Sequence, residues 1–180
     1  MVLTVLLIEK REAVLGRWFD SIIKTYPPGT SEFLAKQKDR FRNPVGHAIA
    51  ESIGSIYDEI VSEMDTGELR RALDGIIRIR SVQDFTASEA VAFVFQLKTV
   101  VREVLGNRID EHEHSHELAD LESRIDQVAL LAFDKYMECR DKLHEVRTNE
   151  IRRRSEILFE KVNVGCGVSR HEGGPVDDGS

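Results

Sequence analysis

The sequence has little cysteine, few aromatic residues and no long hydrophobic run. Two cysteines in 180 residues, Cys139 and Cys166, imply no disulfide framework. Aromatic residues make up only 7% of the chain and charged residues 32%, which suits helices with solvated outer faces better than a β-sandwich or barrel. The apolar N-terminal stretch MVLTVLLI has eight residues, whereas a membrane-spanning helix needs about 20. We therefore expect an all-α domain in the cytoplasm.

Positive charge is scarce relative to negative charge. The net charge of −7 has the wrong sign for the electrostatic attraction that usually drives nucleic-acid binding. A local basic run, residues 152–154, lies among glutamates and is typical of a solvated helix face. The chain also contains no Walker loop, dinucleotide fingerprint or nucleophile motif. We expect neither a nucleic-acid partner nor an enzyme.

Apolar residues recur with helical spacing between breaks at proline, glycine and capping residues, and this pattern predicts about six helices. They cover approximately residues 3–26, 30–41, 44–64, 66–80, 87–105 and 115–161. We expect them to form a single domain over residues 1–161. The glycine-rich residues 162–180 have no apolar period and are expected to be a disordered tail.

Capping residues mark where the second and third helices begin. Thr30 or Ser31 can cap the second helix. Asn43 is a good N-cap for the third, and Pro44 suits the first helical position because its missing N–H has no partner there to lose.

The fourth and fifth helices also have cap signals. Asp65 is placed as N-cap of the fourth with Glu68 as its N3 partner, and Thr86-x-x-Glu89 is a capping box directly before the fifth. The fifth helix is apolar around most of its circumference. It is therefore expected to be buried on nearly all sides, by neighbouring helices or by a partner subunit.

The last helix is unusually long. Residues 115–161 contain no proline or glycine. A heptad-like apolar seam lines the first half, and the second half is mostly charged. We expect that second half to protrude or to pair with a second chain. The seam consists of Leu118, Leu121, Ile125, Val128 and Ala132.

The segment HEHSH, residues 112–116, satisfies the metalloprotease pattern H-E-x-x-H with Glu113 as general base. The extended pattern fails, because Ala119 and Glu122 stand where glycine and a third histidine are needed. We interpret the segment as a polar loop and expect no resident metal. An adventitious divalent-metal site would use His112, His114 and His116.

Basic residues precede the third helix, whose N-terminal amides and dipole could hold a carboxylate or phosphate. A glycine at the start of the helix would let a ligand approach the backbone. Solvated side chains with structural ion pairs are the competing interpretation. The candidate anion-site residues are Lys36, Arg40, Arg42 and Gly46.

Haem is not expected, because the fifth helix has no histidine to serve as axial ligand. An apolar ligand could instead lie near Phe93 and Phe95 in that helix. Some polar residues flank the apolar helices, and we interpret them as a semi-buried structural network. They are Asp39, Arg80, Gln83 and Asp84.

Two long segments of the sequence resemble a known family. They read FLAKQKDRFRNPVGHAIAESI and IRIRSVQDFTASEAVAFVFQLKTVVREVL, and they occur in order together with Trp18 and the TYPP turn. The chain resembles, over roughly residues 9–160, the N-terminal domain of the RsbR/RsbRD co-antagonists, sensory proteins of the bacterial stressosome that restrain the general stress response.

The resemblance implies a globin-like, haem-free helical domain that dimerises, and whose long helix in full co-antagonists leads into a phosphorylatable STAS domain. This sequence ends in a tail after the long helix, without a STAS domain. We therefore expect a stand-alone sensor or interaction domain, a homodimer read by a protein partner at its long helix. A carrier of a small apolar ligand and a metal-dependent hydrolase at HEHSH are the alternatives.

Overall fold

The computed structural model describes residues 2–36, 39–83, 85–106 and 114–166, with side chains described up to residue 161. Within these ranges the chain forms seven helices and no strand. This confirms the all-α class and the long last helix. The helices are α1 (Val2–Glu9), α2 (Arg11–Ile23), α3 (Pro28–Lys36), α4 (Pro44–Val61), α5 (Thr66–Val82), α6 (Ala87–Leu105) and α7 (Ser115–Cys166).

The first predicted helix is two helices in the structure. Lys10, between α1 and α2, has φ −94° and ψ 9°, so the backbone bends there. The hydrogen-bond ladder nevertheless continues, since Lys10 N donates to Leu6 O at 2.9 Å and Val14 N to Lys10 O at 3.0 Å. The apolar spacing is therefore unchanged across the bend.

The predicted second helix starts earlier than expected. Ser31 N donates to Pro27 O at 2.9 Å, so the first turn of α3 already begins at Pro28, the position where proline is most favourable. Thr30 and Ser31 consequently lie inside the helix and do not cap it.

The cap of α4 is confirmed. Asn43 Oδ1 accepts a 2.8 Å hydrogen bond from Gly46 N, and Asn43 Nδ2 donates to Leu34 O at 3.0 Å. Asn43 is buried, so one side chain both starts α4 and ties it to α3.

The N-cap of α5 is confirmed, but its predicted partner is not. Asp65 Oδ1 accepts hydrogen bonds from Gly67 N at 2.8 Å and Glu68 N at 3.0 Å. Its own N–H, however, donates to Glu59 Oε2 at 2.9 Å, whereas Glu68 pairs with Arg71. The reciprocal partner therefore comes from α4, outside the local motif.

The capping box of α6 is present in both directions. Glu89 N donates to Thr86 Oγ1 at 3.3 Å, and Thr86 N donates to Glu89 Oε2 at 2.9 Å. The helix that follows supplies many buried residues to the core, but it is not enclosed on all sides. Phe95 in its middle is 47% exposed.

The chain divides into two units, Met1–Arg140 and Asp141–Ser180. In the first unit, α7 is joined to the other helices by polar contacts. Arg124 Nη1 donates to Ile60 O at 3.0 Å and to Ser62 O at 2.6 Å, which caps the carboxyl end of α4. Glu117 Oε2 accepts from Leu3 N at 2.9 Å.

In the second unit, the described residues belong to α7 and begin at Asp141. Their side chains up to residue 161 are mostly exposed. Large apolar side chains are among the exposed ones: Val146, Ile151, Ile157, Leu158 and Phe159. The predicted tail covered residues 162–180. Helix α7 instead continues to Cys166, five residues into that range, and residues 167–180 lie outside the described ranges. None of the described helices combines the length and the apolar content that a bilayer crossing requires.

Candidate functional site

A charged side chain lies in the hydrophobic core where three helix ends meet. Arg80, in the last turn of α5, is fully buried. Its Nη1 donates to the backbone oxygen of Glu89 in the first turn of α6 at 2.9 Å, and its Nη2 donates to Thr25 Oγ1, just after α2, at 3.0 Å. The guanidinium therefore connects α2, α5 and α6.

Three aromatic rings surround this guanidinium, and we call the four residues the Arg80 cage. The carbon Cζ of Arg80 lies 4.8 Å from the ring centroid of Phe85, 5.3 Å from that of Phe93 and 5.6 Å from that of Tyr26. A cation over an aromatic face is attracted by the ring quadrupole, and more strongly where water is excluded. The rings thus offset part of the cost of burying the charge.

Two polar atoms of the cage are buried and have no hydrogen-bond partner in the described part of the chain: Arg80 Nε and Tyr26 Oη. Burial raises the pKa of Tyr26, and the positive charge of Arg80 acts in the opposite direction. Burial lowers the pKa of Arg80, because here too it disfavours the charged form. A buried cation with an orphaned N–H is unusual in a folded protein and makes Arg80 a candidate functional residue.

The cage is connected to α7 through the residues beside it. Tyr136 Oη donates to the Phe85 backbone oxygen at 2.6 Å, and Arg140 Nη1 donates to the Ser81 backbone oxygen at 3.3 Å. Nearby, Lys135 Nζ lies 2.9 Å from Asp74 Oδ1 on α5. The last residues of α7 in the first unit thus contact the segment that carries Arg80 and Phe85.

A second feature is an exposed apolar surface, which we call the α6–α7 face. It consists of Phe95, Leu130, Phe133 and Met137, which are 47%, 68%, 45% and 43% exposed. The residues of α7 in this set follow one another at i, i+3 and i+7, so they lie on one side of the helix.

Ion pairs fix the position of α6 against α7 beside this face. Arg102 Nη2 lies 2.6 Å from Glu122 Oε1, and Lys98 Nζ lies 2.7 Å from Asp126 Oδ1. About one turn away from these pairs, Phe95 precedes Lys98 on α6 and Leu130 comes after Asp126 on α7. Two charged pairs are therefore followed by exposed apolar residues on both helices.

The predicted apolar-pocket residues point in different directions. Phe93 is fully buried, and its ring stacks on that of Trp18 at a centroid distance of 6.2 Å. Trp18 Nε1 also donates to Phe93 O at 2.7 Å. Phe95, two positions on, is exposed. The structure does not bring the two phenylalanines into one pocket.

Two of the four predicted anion-site residues have structural contacts of their own. Lys36 Nζ pairs with Glu32 Oε1 at 2.5 Å, and the amide of Gly46 is bound by Asn43. Arg40 and Arg42 are exposed. A Cβ at position 46 would lie 2.3 Å from Asn43 Nδ2, so glycine is needed there to admit the asparagine side chain.

The histidine segment is only partly described. His112 lies outside the described residues, His114 is half-buried and His116 is exposed. No group of three potential metal ligands occurs within the described ranges. Of the predicted polar network, Asp39 and Gln83 are exposed, Arg80 is fully buried, and Asp84 lies outside the described residues.

Comparison with known proteins gives one match. The model of the RsbT co-antagonist protein rsbRD N-terminal domain family matches residues 12–151. The chain belongs to this family. It is thus a regulatory domain of the kind associated with the stressosome. No curated protein and no solved structure gives a significant match.

The family match includes both features described above. It begins in α2 and ends in α7 beyond the first unit, so it contains the whole Arg80 cage and the whole α6–α7 face. Helix α1 lies before it. The site features therefore belong to the part of the chain that the family model recognises.

Sequence reasoning missed most of the site, although one signal was available. Arg80 continues the apolar series Leu73, Ile76 and Ile77 at helical spacing, and an arginine on a buried stripe is a position to question. No local pattern marks Tyr26 or Tyr136, because their partners lie on other helices.

Proposed function

We propose that this chain works as a homodimeric regulatory domain that passes its signal through α7. The observation that carries this proposal is the α6–α7 face, a set of exposed apolar residues on two helices that also contribute to the core. Patches of this kind, bordered by charged residues, mark interaction sites. A second copy of the chain would cover the patch with an identical one, as two-fold symmetric interfaces do.

The arrangement of charge beside the patch favours a self-complementary interface. The cations Lys98 and Arg102 are already paired with Asp126 and Glu122 within one copy, so the border carries little net charge. Apolar association of two such faces requires no charge reversal on the partner. Charged residues at the edge and aromatic residues in the centre are also the usual anatomy of an interface.

The route to the output follows the contacts of α7. Phe133 and Met137 lie on the proposed interface. Lys135 and Tyr136, between them in sequence, contact α5 and the α5–α6 connection. A change at either surface would alter the packing of the same two turns of α7. The second unit would then offer its exposed apolar residues to a protein partner.

The proposal is tested by placing a charge in the patch. Phe133→Glu puts a carboxylate where two copies would meet, and it should convert the dimer to a monomer in sedimentation velocity at low micromolar concentration. Phe41→Glu is the matched control, because Phe41 is exposed and lies outside the face. It should leave the dimer intact. Equal masses for both variants and the unmodified chain would contradict the proposal.

The ligand-carrier alternative has less support. The ring of Phe93 stacks on Trp18 and lies against the Arg80 guanidinium, so it already has protein partners. The hydrolase alternative depends on His112, outside the described residues, and no observation favours it over the regulatory function.

A further inference from the structure

The Arg80 cage leaves a charge and two hydrogen-bonding atoms unsatisfied at one place. Throughout the described part of the chain, no carboxylate oxygen lies within 4.0 Å of the Arg80 guanidinium, whose hydrogen bonds go to a backbone oxygen and a hydroxyl. Buried cations are normally paired with an anion. The three rings attract the cation but accept no conventional hydrogen bond.

Both orphaned atoms require a hydrogen-bond acceptor. Arg80 Nε carries a hydrogen that can only be donated, and the Tyr26 hydroxyl stays protonated at neutral pH and can donate as well. Both atoms are buried, and the Arg80 Cζ lies 5.6 Å from the centroid of the Tyr26 ring. A single acceptor between them would satisfy both donors. A negatively charged acceptor would also compensate the charge.

We propose that the Arg80 cage binds a small monovalent anion, with Arg80 Nε and Tyr26 Oη as its donors. The anion is of halide size, because a monatomic acceptor needs the least space among the side chains of the cage. Phe85 and Phe93 exclude water around it. This site is independent of whether the chain dimerises, so its test and the test of the dimer can fail separately.

The same site has a direct path to α7. The ring of Phe85 forms one wall of the cage, and its backbone oxygen accepts the hydrogen bond of Tyr136. An anion that pulls Arg80 and Tyr26 together would shift the Phe85 wall. Anion occupancy would thereby change the packing of α7 without any contact between the anion and that helix.

The first test is crystallographic and uses bromide as the probe. Crystals of the full chain are grown with bromide in place of chloride, and the anomalous difference map is calculated at the bromine absorption edge. The expected result is a peak within hydrogen-bond reach of both Arg80 Nε and Tyr26 Oη. An anomalous map without a peak in the cage would overturn the proposal.

The second test measures thermal unfolding while chloride replaces methanesulfonate at constant ionic strength. For the unmodified chain, Tm should rise as chloride occupies the site, by about 3–6 °C when the chloride concentration is ten times its Kd. Tyr26→Phe keeps the ring and removes one donor, so it should weaken the chloride response. Arg80→Met removes the charge at similar volume and should abolish it.

Two further variants make the test specific. Arg78→Met removes an exposed arginine from the same helix and should leave the chloride response unchanged. Asp84, which lies outside the described residues, is close to Arg80 in sequence. If the anion binds in the cage as proposed, the chloride response does not depend on this carboxylate, and the Asp84→Asn variant should keep it. A Tm that is the same in chloride and methanesulfonate for the unmodified chain would contradict anion binding.

Discussion

The hydroxyl of Tyr136 on α7 donates a 2.6 Å hydrogen bond to the backbone oxygen of Phe85, whose ring covers the buried guanidinium of Arg80. This bond joins the helix that carries the proposed dimer face to the wall of the Arg80 cage. Since Tyr136 is itself buried, the bond is shielded from water. Regulation by this domain is therefore expected to depend on it.

Removing that hydroxyl should destabilise the protein. Tyr136→Phe leaves the partly buried Phe85 oxygen without its donor, and the expected cost is about 1 kcal/mol, the usual net value of such a hydrogen bond. Unfolding in urea measures this, with fluorescence of Trp18 as the signal. Trp18 is the only tryptophan of the chain and is fully buried, so unfolding exposes it.

The control for Tyr136→Phe is the same substitution at Tyr26. The Tyr26 hydroxyl has no partner among the described residues, so in chloride-free buffer its removal should not lower the free energy of unfolding. Equal costs for the two substitutions would contradict the assignment of these hydrogen bonds.

Gly46→Ala should destabilise the protein although alanine favours helices. The new Cβ would displace the Asn43 side chain and break the α4 cap together with the link to Leu34. Loss of the cap and local overpacking outweigh the gain in helix propensity, for a net cost of about 2 kcal/mol.

The matched substitution is Gly16→Ala. Position 16 is exposed within α2, and no atom lies within 4 Å of the added Cβ. There the gain in helix propensity should stabilise the protein by up to about 1 kcal/mol. Urea unfolding of both variants checks the opposite signs, and a stabilising Gly46→Ala would contradict the close approach of Asn43.

The capping box of α6 should make stability fall in acid. Hydrogen bonds from Thr86, first from its backbone N–H and then from its hydroxyl, lower the pKa of Glu89 in the folded protein. The contribution of Glu89 is therefore present above its unfolded pKa of about 4.3 and is lost as pH falls through the lower folded pKa.

Glu89→Gln isolates this effect. Glutamine can still accept from Thr86 N, but it does not titrate. Between about pH 5 and pH 3, Tm of the unmodified chain should consequently fall more steeply than Tm of the variant. Parallel Tm profiles across this range would show that the carboxylate does not contribute through its charge.

Local rules predicted those parts of the fold whose partners are close in sequence. The Asn43 cap, the Thr86–Glu89 capping box and the length of α7 all depend on residues within a few positions of each other. The partner of Asp65 N is Glu59, which comes from the preceding helix, and so the local motif named the wrong glutamate. The bend at Lys10 keeps its hydrogen bonds and leaves no mark in the apolar spacing.

The site depends on contacts between distant residues, and for that reason it was largely invisible in the sequence. Arg80 is buried only because the ends of α2, α5 and α6 meet around it, and its rings come from three separate segments. Phe95 shows what a single chain leaves uncovered. The apolar helix predicted burial on nearly all sides, by neighbouring helices or by a partner subunit, and within one chain the packing of α6 leaves this aromatic ring at the surface.

The most direct measurement of the proposed mechanism is native mass spectrometry of the untagged full chain at low micromolar concentration, beside the Phe133→Glu variant. A regulatory homodimer held by the α6–α7 face predicts twice the chain mass for the unmodified protein and the single chain mass for the variant. A single chain mass for the unmodified protein would contradict it.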